Sequence, residues 1–140
     1  MKIAMTVLLL VVALIGAGPA AGGEYRYVKQ QEFRGWLQSG KKMFIVDIQE
    51  PAAFAAQHFG GSIGTGAFPA KSDEERRKLD GAVKQAASTS VDIVIVCPRG
   101  GGGAKNSYDY LKERGIEEKR LYILEKGMQG WPYPELTVRR

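Results

Sequence analysis

The stretch VDIVIVCPRGGGGAK, residues 91–105, decides how this chain folds. Its first six residues, 91–96, are apolar except for one aspartate and form the most strand-like segment of the sequence. Cys97 follows at once, and a proline, an arginine and four glycines then separate it from a segment of helical character, residues 104–114. A strand, a glycine-rich loop and a helix in this order are typical of α/β folds, in which ligands bind beyond the carboxyl ends of the strands.

Outward from this stretch, strand and helix patterns alternate along the chain. The run MFIVDI at residues 43–48 is apolar except for Asp47, as expected of a buried parallel strand. Ser72 and Glu75 fit a capping box at the start of a long amphipathic helix. Further strands are predicted at residues 25–28, 62–63 and 121–124, and further helices at residues 33–40, 51–57 and 72–88. The alternation predicts one α/β domain, with a mainly parallel sheet and helices on both faces.

The glycine-rich loop after Cys97 is suited to holding an anion at the sulfur. Glycines let successive backbone N–H groups turn inward, and the following helix directs the positive end of its dipole at the loop. A thiolate at the start of the loop would be stabilised there and would act as a nucleophile. We therefore predict Cys97 as the catalytic residue, and as substrate-binding residues we predict Arg99, Gly100, Gly101, Gly102, Gly103 and Lys105.

Three other interpretations of this loop fit less well. A phosphate-binding Walker loop needs glycine directly before the lysine, whereas Ala104 precedes Lys105 here. A cysteine phosphatase needs an arginine six residues after the cysteine to clamp the phosphate, and that position is Gly103. A plain structural turn beside a buried thiol would not require four consecutive glycines, which are costly to order.

Four segments in the correct order resemble the rhodanese-like family of sulfurtransferases. They are VDIQE at 46–50, HFGGSI at 58–63, the loop at 97–105 and LEKGMQGW at 124–131. The resemblance implies that residues 24–138 form the family's domain, with a five-stranded, mainly parallel sheet. It also implies that a cysteine thiolate takes a sulfane sulfur from a donor such as thiosulfate. The resulting persulfide then passes the sulfur to a thiol or a cyanide-like acceptor.

The chain departs from the family pattern at two places. The family loop usually ends in arginine followed by serine or threonine, and these positions are Gly102 and Gly103 here. The arginine that commonly follows the strand's aspartate by two residues is Gln49. Asp47 itself is a supporting residue that either orients the loop or pairs with a cation, or alternatively caps the helix that follows Pro51. The resemblance places the only histidine, His58, as a structural residue.

Composition and charge exclude several classes of protein. The chain of 140 residues has 20 Lys and Arg against 15 Asp and Glu, a net charge of +5, with no basic block of five or more residues. This mild excess does not fit a nucleic-acid-binding tail. One cysteine and one histidine exclude an internal disulfide and a Cys/His zinc site. No metal and no organic cofactor is expected.

Residues 1–22 have the pattern of a secretory signal peptide. Lys2 precedes an apolar run at residues 3–15, and small residues suited to cleavage follow. The run is shorter than the roughly 20 residues that cross a bilayer, so an uncleaved membrane anchor is the alternative and no stable span is expected after processing. The sequence thus predicts a periplasmic or secreted sulfurtransferase. A rhodanese-like binding or sulfur-carrier module without turnover, serving a partner protein, is the alternative function.

Overall fold

A parallel β-sheet lies at the centre of the computed structural model, which describes residues 24–140. Its strands are β1 (Tyr27–Val28), β2 (Met43–Asp47), β3 (Ile63–Gly64), β4 (Asp92–Val96) and β5 (Leu121–Leu124). They lie in the order β1-β5-β4-β2-β3, and every neighbouring pair is parallel. The predicted α/β class is confirmed, and the five-stranded sheet is wholly parallel. The predicted signal peptide, residues 1–22, lies outside the described residues.

Helices cover both faces of the sheet, as the sequence predicts. They are α1 (Gln30–Ser39), α2 (Pro51–Ala56), α3 (Asp73–Arg77), α4 (Asp80–Ala87) and α5 (Gly102–Glu113), with 3₁₀ turns at Glu118–Arg120 and Pro134–Leu136. Alternate side chains of β4 point to opposite faces. Ile93 and Ile95 pack in the apolar cluster that includes residues of α4 and α5. Val94 and Val96 pack in a second cluster with Phe33 of α1.

The single helix predicted over residues 72–88 is wrong, because the chain forms two helices there. The capping box of Ser72 and Glu75 is present at the start of α3, but α3 buries no side chain. Lys78 and Leu79 then donate their N–H groups to carbonyls three residues back, which tightens the backbone. Leu79, fully buried, follows directly on this break and precedes α4. The break thus lets α4 pack on the sheet while α3 stays at the surface.

Most other element boundaries agree with the sequence patterns to within about two residues, but the start of α5 affects the site. The helix begins at Gly102 and not at Ala104. Gly102 and Gly103 therefore belong to its first turn, and only Gly100 and Gly101 remain in the glycine loop. Among residues 24–140, no helix is long and apolar enough to cross a membrane.

Candidate active site

Cys97 lies directly after β4, where the chain turns into the glycine loop. Cys97 is only 1% exposed, and its Sγ atom accepts a hydrogen bond of 2.8 Å from the backbone N–H of Gly100. Gly100 has a φ of +72°, which side chains rarely adopt, and a Cβ there would lie 3.0 Å from the carbonyl oxygen of Leu124. Glycine at position 100 is therefore what allows an amide to point at the sulfur.

The first turn of α5 adds further donors near the sulfur. Gly101 is the N-cap residue of this 12-residue helix. The first N–H groups of a helix have no partner within the helix, and the positive end of its dipole lies there. A Cβ on Gly103 would come within 2.7 Å of the Phe68 ring, so any side chain at position 103 would require that ring to move. This end of α5 is thus open to an anion and has no arginine clamp.

A second loop, which follows β5, is hydrogen-bonded to the backbone of the cysteine loop. Met128 donates its backbone N–H to the carbonyl of Cys97 at 2.8 Å, and Gln129 donates to the carbonyl of Pro98 at 2.9 Å. Gly127 has a φ of +61°, and a Cβ there would collide with the Cys97 carbonyl oxygen. Because β5 is the neighbour of β4 in the sheet, these two loops meet at the same edge.

A cavity of about 600 Å³ opens at Cys97. One part of its wall is apolar and includes the side chains of Ala53, Phe68 and Pro98. Arg99 also faces the cavity, and its Nε donates a hydrogen bond of 3.2 Å to the side-chain oxygen of Gln129. The cavity is lined by Glu50, Ala53, Phe68, Cys97, Pro98, Arg99, Gly101, Gly102, Gly103 and Gln129.

The structure brings most, but not all, of the sequence-predicted residues together. Cys97, Arg99 and three of the four glycines line the cavity, and the fourth, Gly100, contacts the sulfur. Lys105 does not reach the cavity, contrary to the expectation that it binds the donor. Its Nζ lies 5.6 Å from the centre of the Tyr25 ring. The lysine is the fourth residue of α5, and it is not among the residues that line the cavity.

Five lining residues were not predicted from the sequence, namely Ala53 and Pro98 together with Glu50, Phe68 and Gln129. Glu50, Phe68 and Gln129 come from the segments that follow β2, β3 and β5, respectively. The signal that could have found them is topological, because the carboxyl ends of parallel strands share one edge of the sheet. The sequence patterns do not reveal which strands are neighbours, and this signal could not be used without the strand order.

Asp47 has a different role from those considered for it. It is fully buried, and its carboxylate accepts hydrogen bonds from the backbone N–H of Gln49 at 2.8 Å and from the Gln49 side chain at 3.0 Å. The N-cap residue of α2 is Glu50, so Asp47 does not cap that helix. Burial raises the pKa of Asp47 to about 6, against the opposing effect of the Gln49 hydrogen bonds and of His58. A neutral amide thus occupies the position of the family's arginine.

His58 is also buried, and it is placed for structure. Its ring stacks on Phe54 with a centroid distance of 4.1 Å, and Nδ1 donates to the Phe54 carbonyl at 2.7 Å. Its backbone forms an antiparallel bridge with Val138. His58 does not line the cavity at Cys97, which agrees with the structural role that the resemblance implies.

Comparison with solved structures shows the same fold in proteins that are described as having different activities. A rhodanese-like domain from Anabaena is 16% identical, with a TM-score of 0.60 over 84% of this chain and 81% of that one. A yeast protein tyrosine phosphatase of the rhodanese family is 18% identical, with a TM-score of 0.59 over 78% of this chain and 86% of that one. An As-Sb reductase from Leishmania major is 18% identical, with a TM-score of 0.63 over 84% and 87%.

Sequence comparison gives the family directly. No curated protein matches the chain. The family model of the rhodanese-like domain, in contrast, matches residues 29–132, which include every strand after β1 and the whole cavity at Cys97. The chain therefore belongs to the rhodanese-like family.

Proposed function

We propose that this protein is a single-domain sulfurtransferase that carries a sulfane sulfur on Cys97. The observation that carries the proposal is the 2.8 Å hydrogen bond from the Gly100 N–H to Sγ, which lies just before the N-terminus of α5 and beside an open cavity. The thiolate is the nucleophilic form of a cysteine, and a backbone N–H that points at the sulfur donates a hydrogen bond to it. A merely structural cysteine would need neither the aimed amide nor the cavity.

The reaction consists of two displacements at sulfur. The Cys97 thiolate attacks the outer sulfur of a donor such as thiosulfate and forms a new S–S bond, while sulfite leaves with the electron pair of the old one. An acceptor, either a thiolate or cyanide, then attacks the terminal sulfur of the persulfide. The Cys97 thiolate leaves with the electron pair and is regenerated. The two steps balance without a further oxidant or reductant.

The residues around Cys97 have separable roles in this reaction. The Gly100 N–H and the first-turn amides of α5 stabilise negative charge on Sγ and on the persulfide. Arg99 faces the cavity from the cysteine loop and attracts an anionic donor. Because Gln129 holds the Arg99 Nε, the guanidinium keeps its remaining N–H groups for the donor.

Sulfur transfer fits this site better than phosphoryl transfer, although one solved neighbour is described as a tyrosine phosphatase. Phosphate recognition by a cysteine loop depends on an arginine that binds the phosphate through two parallel hydrogen bonds. At the sixth position after Cys97 this chain has Gly103, and the Phe68 ring occupies the space of a side chain there. We therefore expect no useful phosphatase activity.

The test is the intact mass of the protein after incubation with thiosulfate or polysulfide. One added sulfur, about 32 Da and removable by a thiol, is expected for the wild type and not for Cys97→Ser. Steady-state turnover with thiosulfate and cyanide then separates the two candidate functions. Sulfur loading without turnover would favour the sulfur-carrier module that serves a partner protein. The absence of any adduct with either donor would overturn the proposal.

We also propose that the protein works after export, in the periplasm. The proposal is supported by the charged start, the short apolar run and the small residues within residues 1–22. Cell fractionation and N-terminal sequencing of the purified protein test it. A periplasmic product that starts near residue 23 is expected, whereas an intact N-terminus in the membrane fraction would favour the uncleaved anchor.

A further inference from the structure

The cavity at Cys97 carries one charge of each sign. Glu50 reaches it from the segment after β2, and Arg99 reaches it from the loop after β4. Both residues are exposed to solvent, and within residues 24–140 neither takes part in an ion pair. The Arg99 Nε is bound by a neutral amide, that of Gln129. The cavity therefore offers a ligand a carboxylate and a guanidinium that form no salt bridge with each other.

The rest of the cavity is shaped for an organic molecule. Its volume of about 600 Å³ lies in the range of pockets that hold small organic ligands, about 300 to 1,000 Å³. Ala53, Phe68 and Pro98 supply apolar surface next to Cys97. A carboxylate such as Glu50 is also poorly suited to a site for inorganic anions alone, because it repels them. Both features indicate a second substrate that differs from thiosulfate.

We propose that the sulfur acceptor is a small zwitterionic aminothiol, with both an ammonium and a carboxylate group. This inference rests on the proposed sulfurtransferase function. The ammonium group of the acceptor pairs with Glu50, and its carboxylate pairs with Arg99. These two contacts orient the acceptor thiolate toward the Cys97 persulfide.

In the transfer step one sulfur atom moves from Sγ to the acceptor, so that one S–S bond forms as another breaks. The acceptor thiolate attacks the terminal sulfur of the Cys97 persulfide, and the bond between that sulfur and Sγ breaks. The electron pair of the broken bond remains on Sγ as a thiolate, and the proton of the persulfide stays with the transferred sulfur. The products are the persulfide of the aminothiol and the free Cys97 thiolate.

The experiment measures transfer from preloaded protein to four thiols. Cys97 of the wild type and of each variant is first loaded to completion with inorganic polysulfide, and the added sulfur is verified by intact mass. The loss of this sulfur is then timed with L-cysteine, cysteamine, N-acetyl-L-cysteine and β-mercaptoethanol. Each variant is compared with the wild type for the same thiol, so that differences in intrinsic nucleophilicity cancel.

The two variants should affect different thiols. Glu50→Gln should lower the rate of sulfur transfer to L-cysteine and cysteamine, which carry the ammonium group, by about three- to tenfold. Arg99→Gln should lower the rate of sulfur transfer to L-cysteine and N-acetyl-L-cysteine, which carry the carboxylate, by about the same factor. The rate with uncharged β-mercaptoethanol reports general damage to the site. The matched control is Glu74→Gln, which removes an exposed negative charge on α3, outside the cavity.

Two outcomes would count against the inference, and they can be told apart. If Cys97 loads with sulfur but Glu50→Gln changes all four rates by the same factor, the zwitterion proposal is overturned and the sulfurtransferase function stands. If Cys97 accepts no sulfur from any donor, the proposed function fails and the identity of the acceptor fails with it.

Discussion

Gly100 determines the surroundings of the Cys97 sulfur more directly than any charged side chain does. Its N–H donates to Sγ, and a side chain there is disfavoured by the positive φ and by the Leu124 carbonyl oxygen, which would lie 3.0 Å from a Cβ. The pattern of Cys97 followed by glycines was sufficient to predict this feature from sequence. Glu50 and Phe68 could not be predicted in the same way, since each comes from a distant segment and lies at the sulfur only through the strand order.

Replacing Gly100 by alanine should impair sulfur loading more than stability. The left-handed conformation costs an alanine about 1 to 2 kcal/mol, and relief of this strain would turn the N–H away from Sγ. We expect the rate of persulfide formation to fall more than about tenfold, the value of roughly one lost charge-assisted hydrogen bond. Gly60→Ala is the control, because a Cβ there meets no atom within 4 Å. Equal loading rates for both variants would contradict the role given to this amide.

Asp47 makes the stability of the fold depend on pH in an unusual direction. Burial raises its pKa from the ordinary 3.8 to about 6, so the ionised carboxylate is less favourable in the folded than in the unfolded chain. The cost is fully present from about one pH unit above this pKa and amounts to about 3 kcal/mol. It diminishes as the pH falls below 6, because the folded protein then takes up a proton before the unfolded chain does.

The pH effect is measured as the difference in unfolding free energy between the wild type and Asp47→Asn. From about pH 7.5 to about pH 5 the wild type should gain roughly 1 to 2 kcal/mol relative to the variant. Urea unfolding at several pH values checks this expectation. Asp73→Asn, at an exposed position in α3, is the control for the loss of a carboxyl group outside the core. A constant difference for Asp47→Asn would mean that its carboxyl is ionised without penalty.

At the scale of elements, local chemistry and tertiary packing contributed separately to what could be predicted. The capping box of Ser72 and Glu75 is a local signal, and the start of α3 follows from it. The break before α4 is not local, because it depends on the burial of Leu79 against the sheet. The periodic pattern is continuous across the break and therefore predicted one helix where there are two. The early start of α5 was missed because glycine carries little helix propensity.

The loop after β5 acts as a support for the cysteine loop, and Gly127 is its critical residue. A Cβ on Gly127 would collide with the Cys97 carbonyl and come within 2.6 Å of the backbone nitrogen of Arg99. Gly127→Ala should therefore lower the unfolding free energy by about 2 to 4 kcal/mol and displace Cys97. Gly81→Ala, in α4 where a Cβ meets nothing, should raise it by about 0.5 to 1 kcal/mol. Chemical denaturation measures both, and a harmless Gly127→Ala would show that the two loops are independent.

At the scale of the whole molecule, the parallel sheet is what converts separate loops into one site. The order β1-β5-β4-β2-β3 places β4 at the centre, between β5 and β2. The segments after these strands deliver Cys97, Gln129 and Glu50 to one cavity. The class of the fold follows from the alternation of strand and helix patterns, whereas this order depends on long-range packing that no single segment encodes.

Thiosulfate, the donor in the proposed function, is attracted either by the net charge of the whole protein or by one side chain. The chain carries a net charge of +5, and a general field would act on thiosulfate from all basic residues together. Arg99→Ala and Arg77→Ala each remove one positive charge, but only Arg99 faces the cavity.

Arg99→Ala should raise the KM for thiosulfate about tenfold with kcat little changed, because the contact serves donor binding. It should also flatten the dependence of turnover on salt, since screening acts on the charge that has been removed. Arg77→Ala, exposed on α3, should change KM less than about twofold. Steady-state kinetics at low and high ionic strength measures both variants, and an equal rise in KM for the two would assign donor capture to the net charge of the molecule.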